Sequence, residues 1–222
     1  TILTSLFENY INMNDLEKAQ QCLDHMNQIN ENEYNKWLDD CYYEGKAIVL
    51  KKKSGDTNHL KAKEILKRIA NDKGVFIQTY YSALINLCDL YLIELNKTSN
   101  LKLIDEIQPY LNLLKGIANN QQSFWLLVEV YSFQAKLKLI SLKFEEAQEM
   151  LIKAYDIADK YGLDRLIKRM IEEQTELSNN SMKWKKFKES GAKISDRMNL
   201  AQIEEQIELL LQKRRYLKMI SN

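Results

Sequence analysis

Apolar residues recur along this chain in steps of 43: Leu38, Tyr81, Phe124 and Ile167 form one register, Cys41, Leu84, Leu127 and Met170 a second, and Tyr42, Ile85, Val128 and Ile171 a third. Within each unit the three members sit at i, i+3 and i+4, which is one stripe of an α-helix and not a face of a strand. The adjoining register, Tyr43, Asn86, Glu129 and Glu172, behaves oppositely and is mostly polar. A second set occupies the other half of each unit: Cys22, Ile65, Ile107 and Met150, then Met26, Ile69, Leu111 and Ala154, both at steps of 43, 42 and 43. Ala19, Ala62 and Ala147 precede them in three units and Ile104 in the fourth, as expected where two helices approach closely. Each unit therefore reads as a helical hairpin, and the chain as an all-α protein, an α-solenoid of antiparallel hairpins with units of about 43 residues.

The breaks fit. Ser54-Gly55-Asp56 separates two helices of one unit, and Asp72-Lys73-Gly74, Asn119-Asn120 and Tyr161-Gly162 separate units. One proline and six glycines in 222 residues are too few for the turns of a many-stranded sheet. Helices are expected over about 3–13, 15–29, 33–53, 58–72, 75–97, 100–118, 121–141, 143–161, 163–179 and 198–220, with a bend at Pro109. Residues 1–180 read as the repeats and 181–222 as a linker and capping helix of the same domain. The last helix carries a stripe of Leu200, Ile203, Ile207, Leu210 and Leu217, interrupted at Arg214. That stripe has to be covered, and packing onto the final hairpin as a cap is favoured over a coiled coil between two copies. A monomer is expected, with a homodimer through 199–220 as the alternative.

The spacing from Tyr131 to Ala135, then to Ala147, Leu151 and Ala154, resembles the tetratricopeptide repeat, over about 128–161. Ala19 with Leu23, and Ala62 with Leu66, keep that family's second-helix signature, so the chain looks like a long-unit variant of it. The segment from Ala154 to Arg197, with Tyr161-Gly162-Leu163, Glu173 and Trp184, looks like the closing region of archaeal tetratricopeptide proteins. The resemblance implies a solenoid of the kind found in regulatory and signalling proteins, including effector-sensing regions of some bacterial transcription regulators. It also implies that the first helix of each hairpin lines a concave groove.

Composition excludes several function classes. Thirty-two basic against 31 acidic residues leave a net charge of +1, so no global field favours nucleic acid or an anionic membrane. The most apolar stretch, 75–95, holds Gln78, Asn86 and Asp89, and no transmembrane segment is expected. Three unclustered cysteines, Cys22, Cys41 and Cys88, do not make a disulfide framework and point to the cytoplasm. A start at Thr1 without a leader looks like a piece of something longer. The two histidines, His25 and His59, lie in different units, and the chain has no phosphate-binding glycine loop, zinc-protease or nucleophile-elbow motif. No enzyme, cofactor or metal is expected. Cys22 and His25 could share a metal, but no second pair follows, and Cys22 belongs to a core register.

Two surfaces are candidates. With Leu38, Cys41 and Tyr42 buried, the opposite face of the first helices presents Tyr43, Asn86, Leu90, Glu129 and Phe133, a partner-binding face of aromatic anchors with polar fixings. Leu90 and Phe133 read equally well as core contacts. The second surface is the basic patch Lys183, Trp184, Lys185, Lys186 and Lys188, which single-stranded nucleic acid sites resemble, although Trp184 and Phe187 capping a stack explain it better. The chain is expected to be a non-catalytic scaffold for a peptide or protein, with nucleic acid unfavoured. The alternative is a ligand- or nucleic-acid-responsive region of a larger regulator.

Overall fold

The computed structural model describes residues 2–214. They form twelve helices: α1 (Ile2–Asn12), α2 (Leu16–Asn32), α3 (Lys36–Lys52), α4 (Asp56–Asn71), α5 (Ile77–Thr98), α6 (Leu103–Asn120), α7 (Phe124–Ile140), α8 (Phe144–Lys160), α9 (Asp164–Asn179), α10 (Ser181–Ser190), α11 (Ile194–Leu200) and α12 (Ile203–Gln212). There is no strand among the described residues, so the chain is all-α. No described helix is long and apolar enough to cross a membrane.

Local chemistry sets the helix ends. Asp15 accepts a hydrogen bond from the Lys18 amide ahead of α2, and Asn35 accepts one from the Leu38 amide ahead of α3. One tight turn recurs: a residue with left-handed φ closes a bond from the next amide to a carbonyl five residues back. It is seen at Asn14, Gln122, Leu142, Gly162 and Gly191, in the bonds Asp15 to Tyr10, Ser123 to Ala118, Lys143 to Lys138, Leu163 to Ala158 and Ala192 to Phe187. Polar and even leucine side chains accept this φ, which is how six glycines suffice for so many reversals. Helix α6 runs on through Pro109 without a break.

The described residues divide into two compact units, 2–90 with Arg214, and 91–213, the first boundary falling inside α5. In the first unit α1 packs on α2, α2 on α3, α3 on α4, and α1 also reaches α3. Its core gathers Phe7, Ala19, Cys22, Leu23, Met26, Leu38 and Val49. In the second unit α6, α7, α8 and α9 pack in sequence and α7 also touches α9, so helices pair both with their neighbours and one hairpin on. Its core includes Val128, Ala135, Leu151, Ala154, Ala158 and Met170, with Tyr131 and Leu166 against it.

Helix starts depart from an even 43. From α3 to α5, α7 and α9 they step by 41, 47 and 40. The predicted single helix over 198–220 is instead α11 and α12, broken at Ala201-Gln202, where Gln202 has φ +52°. Leu217 lies outside the described residues. Residues 181–190, expected as linker, form α10. Helix α12 is not a lid on the end of the final hairpin. It packs along the side of α7 and on α11.

Candidate functional site

Helix α7 is buried around most of its circumference: twelve of its seventeen residues are inside, and four of those are Glu129, Ser132, Gln134 and Lys136. A core helix that buries this much polarity has to satisfy it. Glu129, Ser132 and Lys136 fall at i, i+3 and i+7, one face, and the elements laid on that face are α11 and α12.

The pairing runs antiparallel to α7. At its N-terminal end Glu129 meets Gln206 and Lys213, Ser132 Oγ lies 3.2 Å from Gln206 Oε1, Lys136 Nζ donates to the Ala201 carbonyl at 3.1 Å, and Arg197 donates to the Ile140 carbonyl. The Lys136 ammonium thus meets the carbonyl end of α11, where the helix dipole favours a cation. Ile203, Ile207 and Leu210, all buried, form the apolar side of α12. Gln206 and Lys213, seven apart, share a helix face, and this brings both to one carboxylate.

That carboxylate is fully buried and saturated. Arg169 grips Glu129 with both terminal nitrogens, at 2.9 and 2.5 Å, Gln206 Nε2 donates to Oε2 at 2.9 Å, and Lys213 Nζ donates to Oε1 at 2.5 Å. Four donors fill the four lone-pair positions a carboxylate offers. Burial pushes the Glu129 carboxyl up, but Arg169 and Lys213 outweigh it and hold it below the ordinary glutamate range. Burial likewise opposes the Arg169 charge, and Glu129 and Glu173 more than restore it. Arg169 also lies 3.3 Å from Glu173, and Ser132 bonds Glu173 at 2.8 Å. The cluster has two carboxylates and two cations. The Lys213 ammonium sits in addition over the Trp125 ring, 5.3 Å from its centroid, so Trp125 and Glu129, one turn apart on α7, form a seat for a single cation.

The first unit repeats the theme. Glu44 of α3 is 2% exposed and pairs with Arg214 at 2.7 Å. Burial holds its carboxyl above the ordinary glutamate range, against the opposing pull of Arg214 and Ser82. Asn86 there accepts from Lys51 at 2.5 Å and donates to the Ser82 carbonyl, and Lys51 also pairs with Asp89.

The expected partner-binding residues are therefore placed differently from the open groove that the sequence suggested. Asn86, Leu90, Glu129 and Phe133 are all at 2% exposure or less. Tyr43 is half-buried, with the Arg68 guanidinium 4.2 Å from its ring centroid. The face opposite the apolar stripe is not solvent, because these helices are covered on both sides. Leu90 and Phe133 are core. The basic patch lies on α10 with Lys183, Lys185, Lys186 and Lys188 exposed, but Trp184 is 2% exposed, packed between Phe144 and Phe187. Its ring is turned inward and offers nothing for a base to stack on in this structure. His25 is exposed while Cys22 is buried, so the two do not face a common site, and no group of metal-ligating residues exists among the described residues.

Sequence reasoning singled out Glu129 and missed Arg169, Gln206, Lys213, Lys136 and Glu44. The available signal was the basic run Lys213-Arg214-Arg215 closing an apolar stripe, a sign that cations are carried to buried acids. A separate cleft of about 560 Å³ between α9, α10 and α11 is lined by Glu176, Asn179, Lys183, Phe187, Asp196 and Asn199. The chain matches no family model, no curated protein and no solved structure.

Proposed function

We propose that this chain is a non-catalytic interaction scaffold, a long-unit tetratricopeptide-like solenoid of the archaeal type, that binds a segment of another protein. The observation that carries this reading is the α7 face, where a helix is seated by buried, direction-specific polar contacts through Glu129, Ser132 and Lys136. A face that selects the polarity and charge of a helix is a recognition surface in kind. The hairpin of α7 and α8 supports the family reading, since Ala135, Ala147, Leu151 and Ala154, the residues that carry the resemblance, are all buried. Free cysteines, of which Cys22 and Cys88 are buried, fit a cytoplasmic setting, and an apolar stripe spent within the chain favours a monomer.

The test is selection of helix-forming peptides, displayed as a random library, against the whole chain. Enriched peptides whose hydrogen-exchange footprint falls on α7 and α9 support the scaffold. No enrichment, or footprints scattered over exposed surfaces, removes it. A second reading, a ligand-responsive region of a larger regulator, draws on the cleft lined by Asn179, Asn199 and Phe187, which offers amides and one ring to a small polar molecule. Chemical-shift changes confined to those residues on screening small polar metabolites would favour it.

A further inference from the structure

The cleft between α9, α10 and α11 has a volume of about 560 Å³, within the range that holds small ligands. It continues inward. Glu176, Asn180, Leu200 and Gln202 line it and also line a second cavity of about 30 Å³, which reaches Lys136 of α7 and Glu173 of α9. That inner cavity has room for about two waters, or for the two oxygens of a carboxylate. Lys136 gives it a charge. Its side chain is 7% exposed and donates to the Ala201 carbonyl at 3.1 Å, its one hydrogen bond among the described residues, whereas an ammonium has three N–H donors. Glu173, on the same cavity, is already held by Arg169 and Ser132. A buried cation with donors to spare calls for an anion.

The outer cleft supplies the opposite sign. Glu176, at the neck between the two hollows, and Asp196, on the outer wall, make no ion pair among the described residues, and neither does Lys183. The carboxamides of Asn179, Asn180, Asn199 and Gln202 are likewise unused there. With Lys136 included, two acids face two cations, so the lining is neutral yet dipolar, and the amides offer donors and acceptors to either end of a ligand. Such a lining complements a molecule that is itself neutral and dipolar, and not a plain anion or cation. The Phe187 ring and Leu200 add apolar wall.

We propose that this hollow binds a free α-amino acid, with its carboxylate turned inward to Lys136, its ammonium held by Glu176 and Asp196, and its side chain beside Phe187 and Leu200. This goes beyond the scaffold reading and rests on the ligand-responsive one, to which it adds the class of ligand.

Saturation-transfer NMR of the full chain with the free amino acids, followed by calorimetric titration of those that bind, tests this. Each ligand is compared with its α-amide, which lacks the carboxylate, and its N-acetyl derivative, which lacks the ammonium. Both blocked forms should bind about tenfold or more weaker than the free amino acid, the scale of one charge-assisted hydrogen bond. Lys136→Met keeps the length of the side chain and should abolish the preference for the free acid over the amide. Asp196→Asn combined with Glu176→Gln should abolish the preference over the N-acetyl form. Lys188→Ala, exposed on α10 and outside the lining, should change neither. A loss of fold weakens all forms alike, so these ratios report the site and not stability. If no amino acid binds while other small polar metabolites shift the Phe187 and Asn199 resonances, the proposal is overturned and the ligand-responsive reading stands. If nothing shifts them, both fall. An acid-over-amide preference that survives Lys136→Met puts the carboxylate elsewhere and also overturns the proposal.

Discussion

Glu129→Gln is the most informative single change, because it keeps the shape of the side chain and removes only the charge. The amide would turn two N–H donors toward Arg169 and Lys213, which donate and do not accept. Hydrogen bonds to a charged group contribute about 1.5–3 kcal/mol each, and breaking a buried ion pair costs about 3–5 kcal/mol because the partner stays behind unpaired. Summing four bonds would overcount, since Arg169 keeps Glu173 at 3.3 Å and Lys213 is 21% exposed and can turn toward water. We expect a loss of about 4 kcal/mol, a large part of the stability of an ordinary domain. Lys213→Met alone leaves Glu129 with Arg169 and Gln206, so it should cost about 1–2 kcal/mol. In the Glu129→Gln background the same change removes a cation that has lost its acid, and its cost should fall to about zero. Urea unfolding of the four chains, followed by circular dichroism, completes the cycle. A loss below about 1 kcal/mol for Glu129→Gln, or an equal cost of Lys213→Met in both backgrounds, refutes the reasoning.

Acidification should release α12. Glu129 is held below its ordinary value by Arg169 and Lys213 against the opposing effect of burial, so the stability it adds is fully present above the unfolded glutamate value of 4.5 and is lost as pH falls through the lower folded value. Hydrogen exchange corrected for its intrinsic pH dependence should show protection of 203–212 unchanged from neutral pH to about 5 and lost below 4.5; loss above 5 would assign docking to another group. Gly45→Ala in α3 would put a Cβ 2.6 Å from Leu23 Cδ2 and 3.1 Å from Phe7, and should lower the denaturant midpoint, whereas Gly116→Ala in α6 meets nothing within 4 Å and should raise stability by about 0.5–1 kcal/mol. Equal effects of the two would contradict the packing of α1, α2 and α3. Ile85→Ala, fully buried, should cost about 2–5 kcal/mol and Leu127→Ala, half-buried, clearly less, measured as a difference in urea midpoints.

Hydrophobic periodicity located the helices because it reports burial. Nine helices from α1 to α9 stand within a few residues of their expected spans, since each is an amphipathic run between turn residues. The C-terminal region was harder to read for a physical reason. A stripe from Leu200 to Leu210 looks continuous in sequence, and nothing local announces the left-handed turn at Gln202, which is imposed by the need of α11 and α12 to lie along α7. Helix α10 was missed because only Trp184 of its ten residues is buried, too thin an apolar face to stand out from its lysines. Leu127 and Ile171, placed in the core registers, are half-buried and 48% exposed respectively.

The candidate site was half legible, and the illegible half has one cause. Polar positions at a helical period normally mean solvent, so Asn86 and Glu129 on the side opposite an apolar stripe were expected to be exposed. That inference holds only when the helix has one covered face. Helix α7 contradicts it within its own sequence, for its apolar residues Trp125, Leu126, Leu127, Val128, Val130, Tyr131, Phe133, Leu137, Leu139 and Ile140 go all the way round. A helix that is apolar on every side is covered on every side, and an acid within it must then be paired. The partner has to come from a segment that ends an apolar run with a base, and Lys213 at the end of α12 is such a residue. Glu44 with Arg214 obeys the same rule in the other unit, since α3 buries Asp40, Glu44 and Gly45 and takes a guanidinium from the residue next to Lys213. The charges were visible throughout; what joined them was the inference from an all-round apolar helix to a covering helix, and from a buried acid to the cation that the covering segment must carry.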